Sequence, residues 1–166
     1  PFGLSDVGSY ADPSLVDIDG DADLDAFVSN SDGNILFFRN TGTISAPVFA
    51  SALMNPFGLS DAGGVFASIT LVDTDDDGDQ DAFVGNVDGD TLYFKNTGTV
   101  NSPIFATAAF NPFGLNDVES NASPAFADID SDGDLDAFIG GRLGNMLFFM
   151  NDYSAVFLLG TAGHDV

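Results

Sequence analysis

The string Pro-Phe-Gly-Leu occurs three times, beginning at Pro1, Pro56 and Pro112, at spacings of 55 and 56 residues. A chain of 166 residues with that period is a short array of one supersecondary unit, and self-similarity at this scale constrains a fold more than any local pattern does. The copies agree well beyond the opening string. Each continues into Ser/Asn-Asp (Asp6, Asp61, Asp117), an acidic loop starting at Asp17, Asp73 and Asp128, and Asp-Ala-Phe-Val/Ile from Asp25, Asp81 and Asp136. A turn and a second apolar run follow. Copies one and two also share Asn-Thr-Gly-Thr from Asn40 and Asn96, and Pro-Val/Ile-Phe-Ala from Pro47 and Pro103. Copy three departs after Asn151, so the units are 1–55, 56–111 and 112–152, with a tail over 153–166.

Within each unit the apolar runs are short, rich in Val, Ile and Phe, and bounded by Gly, Asn, Asp and Pro, the pattern of strands. Copy one predicts four of them, at 14–18, 25–30, 34–39 and 48–53. Asp32-Gly33 and Asp88-Gly89 predict tight hairpin turns between the second and third strands. Along the third strand Ile35 and Phe37 fall on one face, Leu36 and Phe38 on the other. Both faces are apolar, so both must be covered. A small sheet of that kind, repeated along a chain, is a blade stacked between blades. A sandwich would instead place polar residues on one side. The expected fold is all-β: tandem four-stranded antiparallel blades of β-propeller type, three in number, forming an incomplete ring or part of a larger assembly.

The acidic loops set the chemistry. Copy one carries Asp17, Asp19, Asp21, Asp23 and Asp25; copy two Asp73, Asp75, Asp77, Asp79 and Asp81; copy three Asp128, Asp130, Asp132, Asp134 and Asp136. Carboxylates therefore recur at loop positions 1, 3, 5, 7 and 9, and with Asp76 these windows hold 16 of the 26 acidic residues. Neighbouring carboxylates repel by about 1 kcal/mol per near pair even in water. A hard divalent cation removes that repulsion, and calcium takes six to eight oxygens in flexible geometry. Positions 1, 3 and 5 would offer side-chain oxygens, position 7 a backbone carbonyl, and position 9 a carboxylate from the second strand. Gly78 and Gly133 at position 6 permit a sharp bend, where copy one has Ala22. The loop is not an EF-hand, since its twelfth position is Val28, Val84 or Ile139 rather than Glu. About three Ca²⁺ ions are expected, one per repeat.

The Asp-x-Asp-x-Asp-Gly-x-x-Asp loop between short strands, with a Phe-Gly element opening each unit, resembles the FG-GAP/VCBS repeat of integrin α-chain propellers and of many bacterial secreted proteins. The resemblance covers copies one and two fully and copy three to about Asn151. It implies a four-stranded blade with one Ca²⁺ in the loop joining its first two strands, held by the five aspartates of each window. Three blades are fewer than the four to eight of an ordinary closed propeller. The segment from Leu159 to Val166 resembles the opening of an RTX nonapeptide repeat, which implies a natural chain that continues further.

Composition narrows the function. A net charge of -23 accompanies 45% hydrophobic residues and 17 Phe, which favours a packed domain over disorder. Three cationic residues provide no surface for nucleic acid or for anionic membrane. No apolar run reaches the ~20 residues of a membrane span, and there is no Cys for disulfides or thiol chemistry. Pro1 begins no signal peptide, which suggests a mature or excised piece. A catalytic centre would lie outside the repeated positions, among Tyr10, Asp12, Glu119, Arg142, Asp152, Tyr153 and His164. The lone His164 has no evident triad partner and Glu119 no second acid, so no enzyme is expected. Arg39 and Lys95, after the third strand, read as exposed strand-end cations. The expected function is an extracellular, calcium-binding structural or adhesive repeat protein. It would self-associate into a ring or filament, or join further repeats. The alternative is a calcium-dependent carbohydrate- or protein-binding module, using the loops around Tyr10, Glu119 and Arg142.

Overall fold

A computed structural model describes residues 2–63 and 66–151. The tail, with His164 and the RTX-like string, lies outside the described residues, as do Asp152 and Tyr153. The described chain forms three antiparallel sheets in series. Strands β1 (Asp12–Val16), β2 (Asp25–Ser29), β3 (Ile35–Phe38) and β4 (Leu53–Met54) form the first blade in the order β1-β2-β3-β4. Strands β5 (Ser68–Val72), β6 (Asp81–Gly85), β7 (Thr91–Phe94) and β8 (Ala109–Phe110) form the second in the same order. Strands β9 (Ser123–Ala127), β10 (Asp136–Gly140) and β11 (Met146–Phe149) form the third, which is three-stranded among the described residues. The first strands adjoin, β1 beside β5 and β5 beside β9, and the three sheets do not close on one another among the described residues.

Two of the expected strands move. The first runs over Asp12–Val16 rather than 14–18, because Asp17 leaves the ladder to organise the acidic turn. The fourth shrinks from 48–53 to Leu53–Met54, pairing with Phe37 and Leu36. Ahead of it only Phe49 bridges to Asn40. The intervening loop closes on Asn40, whose side-chain oxygen accepts the N–H groups of Gly42 and Val48 at 3.0 Å each, and Pro47 has no N–H to give a ladder. The hairpin turns form where Asp32-Gly33 and Asp88-Gly89 stand: Gly33 donates to the Asn30 carbonyl and Gly89 to that of Asn86.

Packing follows the two-faced strands. Phe27, Ile35 and Phe37 of blade one meet Ile69, Ala82, Val84, Leu92 and Phe94 of blade two in one core. Phe83 and Tyr93 on the opposite face of blade two meet Ala137, Ile139, Leu147 and Phe149 of blade three in a second. The Pro-Phe-Gly-Leu string is the wedge at each junction. Phe57 packs edge-on against Phe37 at 5.0 Å and Phe113 against Tyr93 at 5.1 Å, while Leu59 and Leu115 are buried beside them.

That wedge explains the glycine. Phe57 and Gly58 both take positive φ, 60° and 99°, and a Cβ on Gly58 would lie 2.5 Å from the Phe105 carbonyl oxygen. Gly114 has the same turn (φ 80°), but a Cβ there would meet nothing within 4 Å. Gly114→Ala should therefore cost only the backbone preference, about 1 kcal/mol. Gly58→Ala should cost about 2 kcal/mol or more, because backbone must also shift. Urea unfolding of the two variants checks this, and equal losses would refute the wedge.

Candidate metal centre

Each acidic loop leaves the first strand of its blade, turns, and re-enters at the second. The turn needs two left-handed residues, at loop positions 4 and 6: Gly20 and Ala22, Asp76 and Gly78, Ser131 and Gly133. The position-1 aspartate shapes it. Asp17 accepts N–H groups from Gly20 (2.8 Å), Asp21 (3.2 Å) and Ala22 (2.9 Å). Asp128 accepts from Ser131 (2.7 Å) and Gly133 (3.2 Å), and Asp73 from Gly78 (3.0 Å). These bonds curl the backbone so that positions 1, 3 and 5 converge. One carboxylate oxygen from each of Asp17, Asp19 and Asp21 lies within 4.8 Å of the others; so do those of Asp73, Asp75 and Asp77, and of Asp128, Asp130 and Asp132. Each of these three triads could hold a metal ion.

The donor set fits a hard cation. Oδ1 of Asp19, Asp23 and Asp73 is buried without a hydrogen-bond donor. A buried carboxylate oxygen lacking a donor is costly unless a positive charge faces it. Protonation is the alternative, and the loops lean toward it: burial pushes Asp25 and Asp79 up to about 6, with neighbouring carboxylates adding to the effect. Partial loss of solvent, and then the adjacent aspartates, likewise raise Asp23 and the exposed Asp130.

Positions 7 and 9 have other partners. The N–H groups of Asp23, Asp79 and Asp134 donate to the position-5 carboxylates of Asp21, Asp77 and Asp132 at 3.1, 3.1 and 2.9 Å. Position 9 clamps the sheet: Oδ1 of Asp25, Asp81 and Asp136 accepts the N–H of Asn40, Asn96 and Asn151 at 2.6, 2.7 and 2.8 Å, where the third strand ends. That clamp was missed at the sequence level, although each Asn follows its Asp by the same interval in every copy. In blade two alone, Thr74 and Tyr93 hydroxyls also donate to Oδ2 of Asp81. Asp81 is thus engaged at both oxygens, and burial raises its carboxyl above the usual range.

Arg39 and Lys95 are not idle strand-end cations. Each reaches the position-3 carboxylate of its own loop, Arg39 to Asp19 at 2.5 Å and Lys95 to Asp75. Copy three has Met150 in that place, so its triad of Asp128, Asp130 and Asp132 is fully acidic and exposed. The loops also meet their neighbours. Asn101 of the second copy donates from Nδ2 to the Asp19 carbonyl at 2.7 Å, beside a cleft of about 440 Å³ lined in part by Phe37, Arg39 and Phe57. The other candidates do not converge. Tyr10 stacks edge-on to Phe66 at 4.5 Å in the first junction, whereas Glu119 is exposed beside the Gly89 turn of blade two and Arg142 on the turn of blade three. No helix among the described residues is long and apolar enough to cross a membrane.

The sequence matches no family model and no curated protein.

Two outcomes follow from this geometry. Ala22 holds φ 72° where the other copies have Gly, a conformation that costs an L-residue about 1 kcal/mol. Ala22→Gly should recover that amount and raise the melting temperature by about 2–4 °C; an unchanged melt would contradict it. The raised carboxyls also fix a sign. A folded carboxyl near 6, against about 3.9 in the unfolded chain, binds more protons in the fold, so metal-free stability falls as pH rises from about 4 through 6. In chelator the protein should melt higher at pH 5 than at pH 7.5. The reverse order would rule out protonated loops as the metal-free state.

Proposed function

We propose that this chain is a calcium-binding structural repeat protein of the FG-GAP/VCBS type that works outside the cell, with adhesion or scaffolding as its task and no catalytic centre. The observation that carries the reading is the threefold recurrence of converging aspartate triads, with buried carboxylate oxygens of Asp19, Asp23 and Asp73 in the first two loops that no donor satisfies. Asp17, Asp19 and Asp21, with their counterparts, would offer side-chain oxygens, and the position-7 residue its backbone carbonyl. The position-9 aspartates share their charge with the site while clamping the third strand. Bound calcium supplies charge neutralisation and an oxygen-coordinating crosslink, so binding energy becomes folding energy. The chain's own part is to hold the first and second strands of each blade at the spacing that brings the carboxylates together. Choice of calcium over magnesium rests on the number of protein oxygens in each loop.

A second reading, a calcium-dependent glycan- or protein-binding module, is favoured by the cleft beside loop one, where Asp19, Arg39 and Asn101 offer polar contacts around Phe37 and Phe57. Calcium-dependent retention on a glycan array, abolished by Asn101→Ala, would select it.

Calorimetric titration should find about three calcium ions per chain. Asp130→Ala should remove one of them and lower the calcium-loaded melting temperature; a full complement in that variant would refute the assignment. Arg39 and Lys95 compete with metal for their loops. Arg39→Met and Lys95→Met should each tighten the site concerned by about two- to fivefold, the worth of a surface ion pair. Unchanged affinities would mean that these cations do not occupy the metal position.

A further inference from the structure

Both junctions inside the molecule are built the same way, and among the described residues one half of that junction stays uncovered on blade one and the other half on blade three. At the first junction the N–H groups of Ala62, Phe66 and Ala67 donate to the carbonyls of Gly33, Ser31 and Asn30 at 3.2, 3.3 and 3.3 Å. At the second, Val118, Asn121 and Ala122 donate to Gly89, Val87 and Asn86 at 3.1, 3.0 and 2.9 Å. The turn of one blade thus holds the lead-in segment of the next through three backbone bonds. Ring packing repeats as well. The Phe27–Phe37 pair is capped by Phe57, with Leu71 packed in the same core. The Phe83–Tyr93 pair is capped by Phe113 and Phe126.

Blade three presents the accepting half again. Its Phe138–Phe148 pair stands at 4.7 Å, as the other two stand at 4.8 Å, but Phe148 is 42% exposed where Phe37 is 3% and Tyr93 8%. The carbonyls of Gly141, Arg142 and Gly144 are the third set of acceptors by repeat position. The first copy presents the donating half: Phe2, Leu4 and Leu15 are exposed at 63%, 44% and 59%, and the N–H groups of Val7, Tyr10 and Ala11 are the equivalent donors. Leu4 has buried counterparts in Leu59 and Leu115.

We propose that a second copy of this chain docks head to tail, its Phe2 and Leu15 covering Phe138 and Phe148 of the first. The occupant is argued from complementarity: the surface missing from blade three is the one that blade one displays, and two examples of the completed joint exist inside the same molecule. A heterologous contact of this kind closes into a ring or extends as a filament according to the rotation it imposes. The inference deepens the structural reading above but uses apolar faces and backbone bonds, not the metal.

The test is sedimentation or light scattering of the whole chain in calcium and physiological salt. Wild type should give at least twice the monomer mass of 17.2 kDa. Leu15→Asp and Phe148→Asp should each be monomeric with unchanged circular dichroism, and mixing them should restore a one-to-one dimer, since each keeps one intact half. Should either charged variant misfold, Leu15→Ser and Phe148→Ser replace them. A monomeric wild type, assembly that survives both substitutions, or a mixture that stays monomeric would overturn the proposal. So would a monomer that associates only once residues 152–166 are removed, which would assign the face to that segment. Calcium stoichiometry measured on monomeric Leu15→Asp separates this inference from the metal reading, because either can fail while the other stands.

Discussion

A four-stranded sheet that is apolar on both faces cannot stand alone in water. Two-stranded and small isolated sheets are marginal at best, and here the central strands have no polar side to offer. Phe27, Ile35 and Phe37 look one way, Ala26, Val28 and Phe38 the other, and all six are buried. Cover on both faces is the condition for the fold, given to one face of blade one by blade two and to the other by Val7, Phe49 and Ala52 of its own copy, since burying apolar surface at roughly 25 cal/mol per Å² is the main term available to so small a unit. The Pro-Phe-Gly-Leu wedge, the turn carbonyls that hold it, and the close approach at Gly58 all serve the same joint. Blade two is covered on both sides, and there β6 and β7 are buried throughout. The outer strand of blade three, β11, has alternating exposed positions because nothing among the described residues covers its far face.

The charge is arranged around this constraint. Sixteen of 26 acidic residues sit in three windows, each at the turn between the first and second strands, while the cores between blades are built from apolar side chains. The blades can therefore approach through apolar faces although the chain carries -23 overall. Three divalent ions would bring the net value to about -17. The aspartates divide the work by position. Position 1 folds the turn, positions 1, 3 and 5 converge, and position 9 reaches past the turn to hold the end of the third strand. One side-chain type thus builds the loop, concentrates the charge and fastens the sheet. Blade two adds its own solution, in which Thr74 and Tyr93 hydroxyls satisfy Asp81, while Arg39 offsets Asp19 and Asp21 in the first loop and Lys95 offsets Asp75 in the second.

Period, strand type and the positions of the acidic turns were legible in the sequence, because they depend on residue order within one copy and on a pattern seen three times. The second and third strands sit where alternation placed them. The fourth strand was misjudged, because Asn40 closes the intervening loop through its side chain, a contact across eight residues that no propensity reports. The Asp–Asn clamp and the ion pairs of Arg39 and Lys95 were missed for the same reason: they join positions 15 to 20 residues apart that only the folded hairpin brings together.

By itself the sequence determined that this is a repeat of apolar two-faced strands joined by carboxylate-rich turns, since side-chain alternation and charge spacing are local properties of the chain. Which carboxylates converge, which brace the sheet, and which blade face the described residues leave uncovered were decided only by tertiary structure. Those outcomes depend on where neighbouring copies lie, and identical motifs in three copies acquire different surroundings once they are stacked in line.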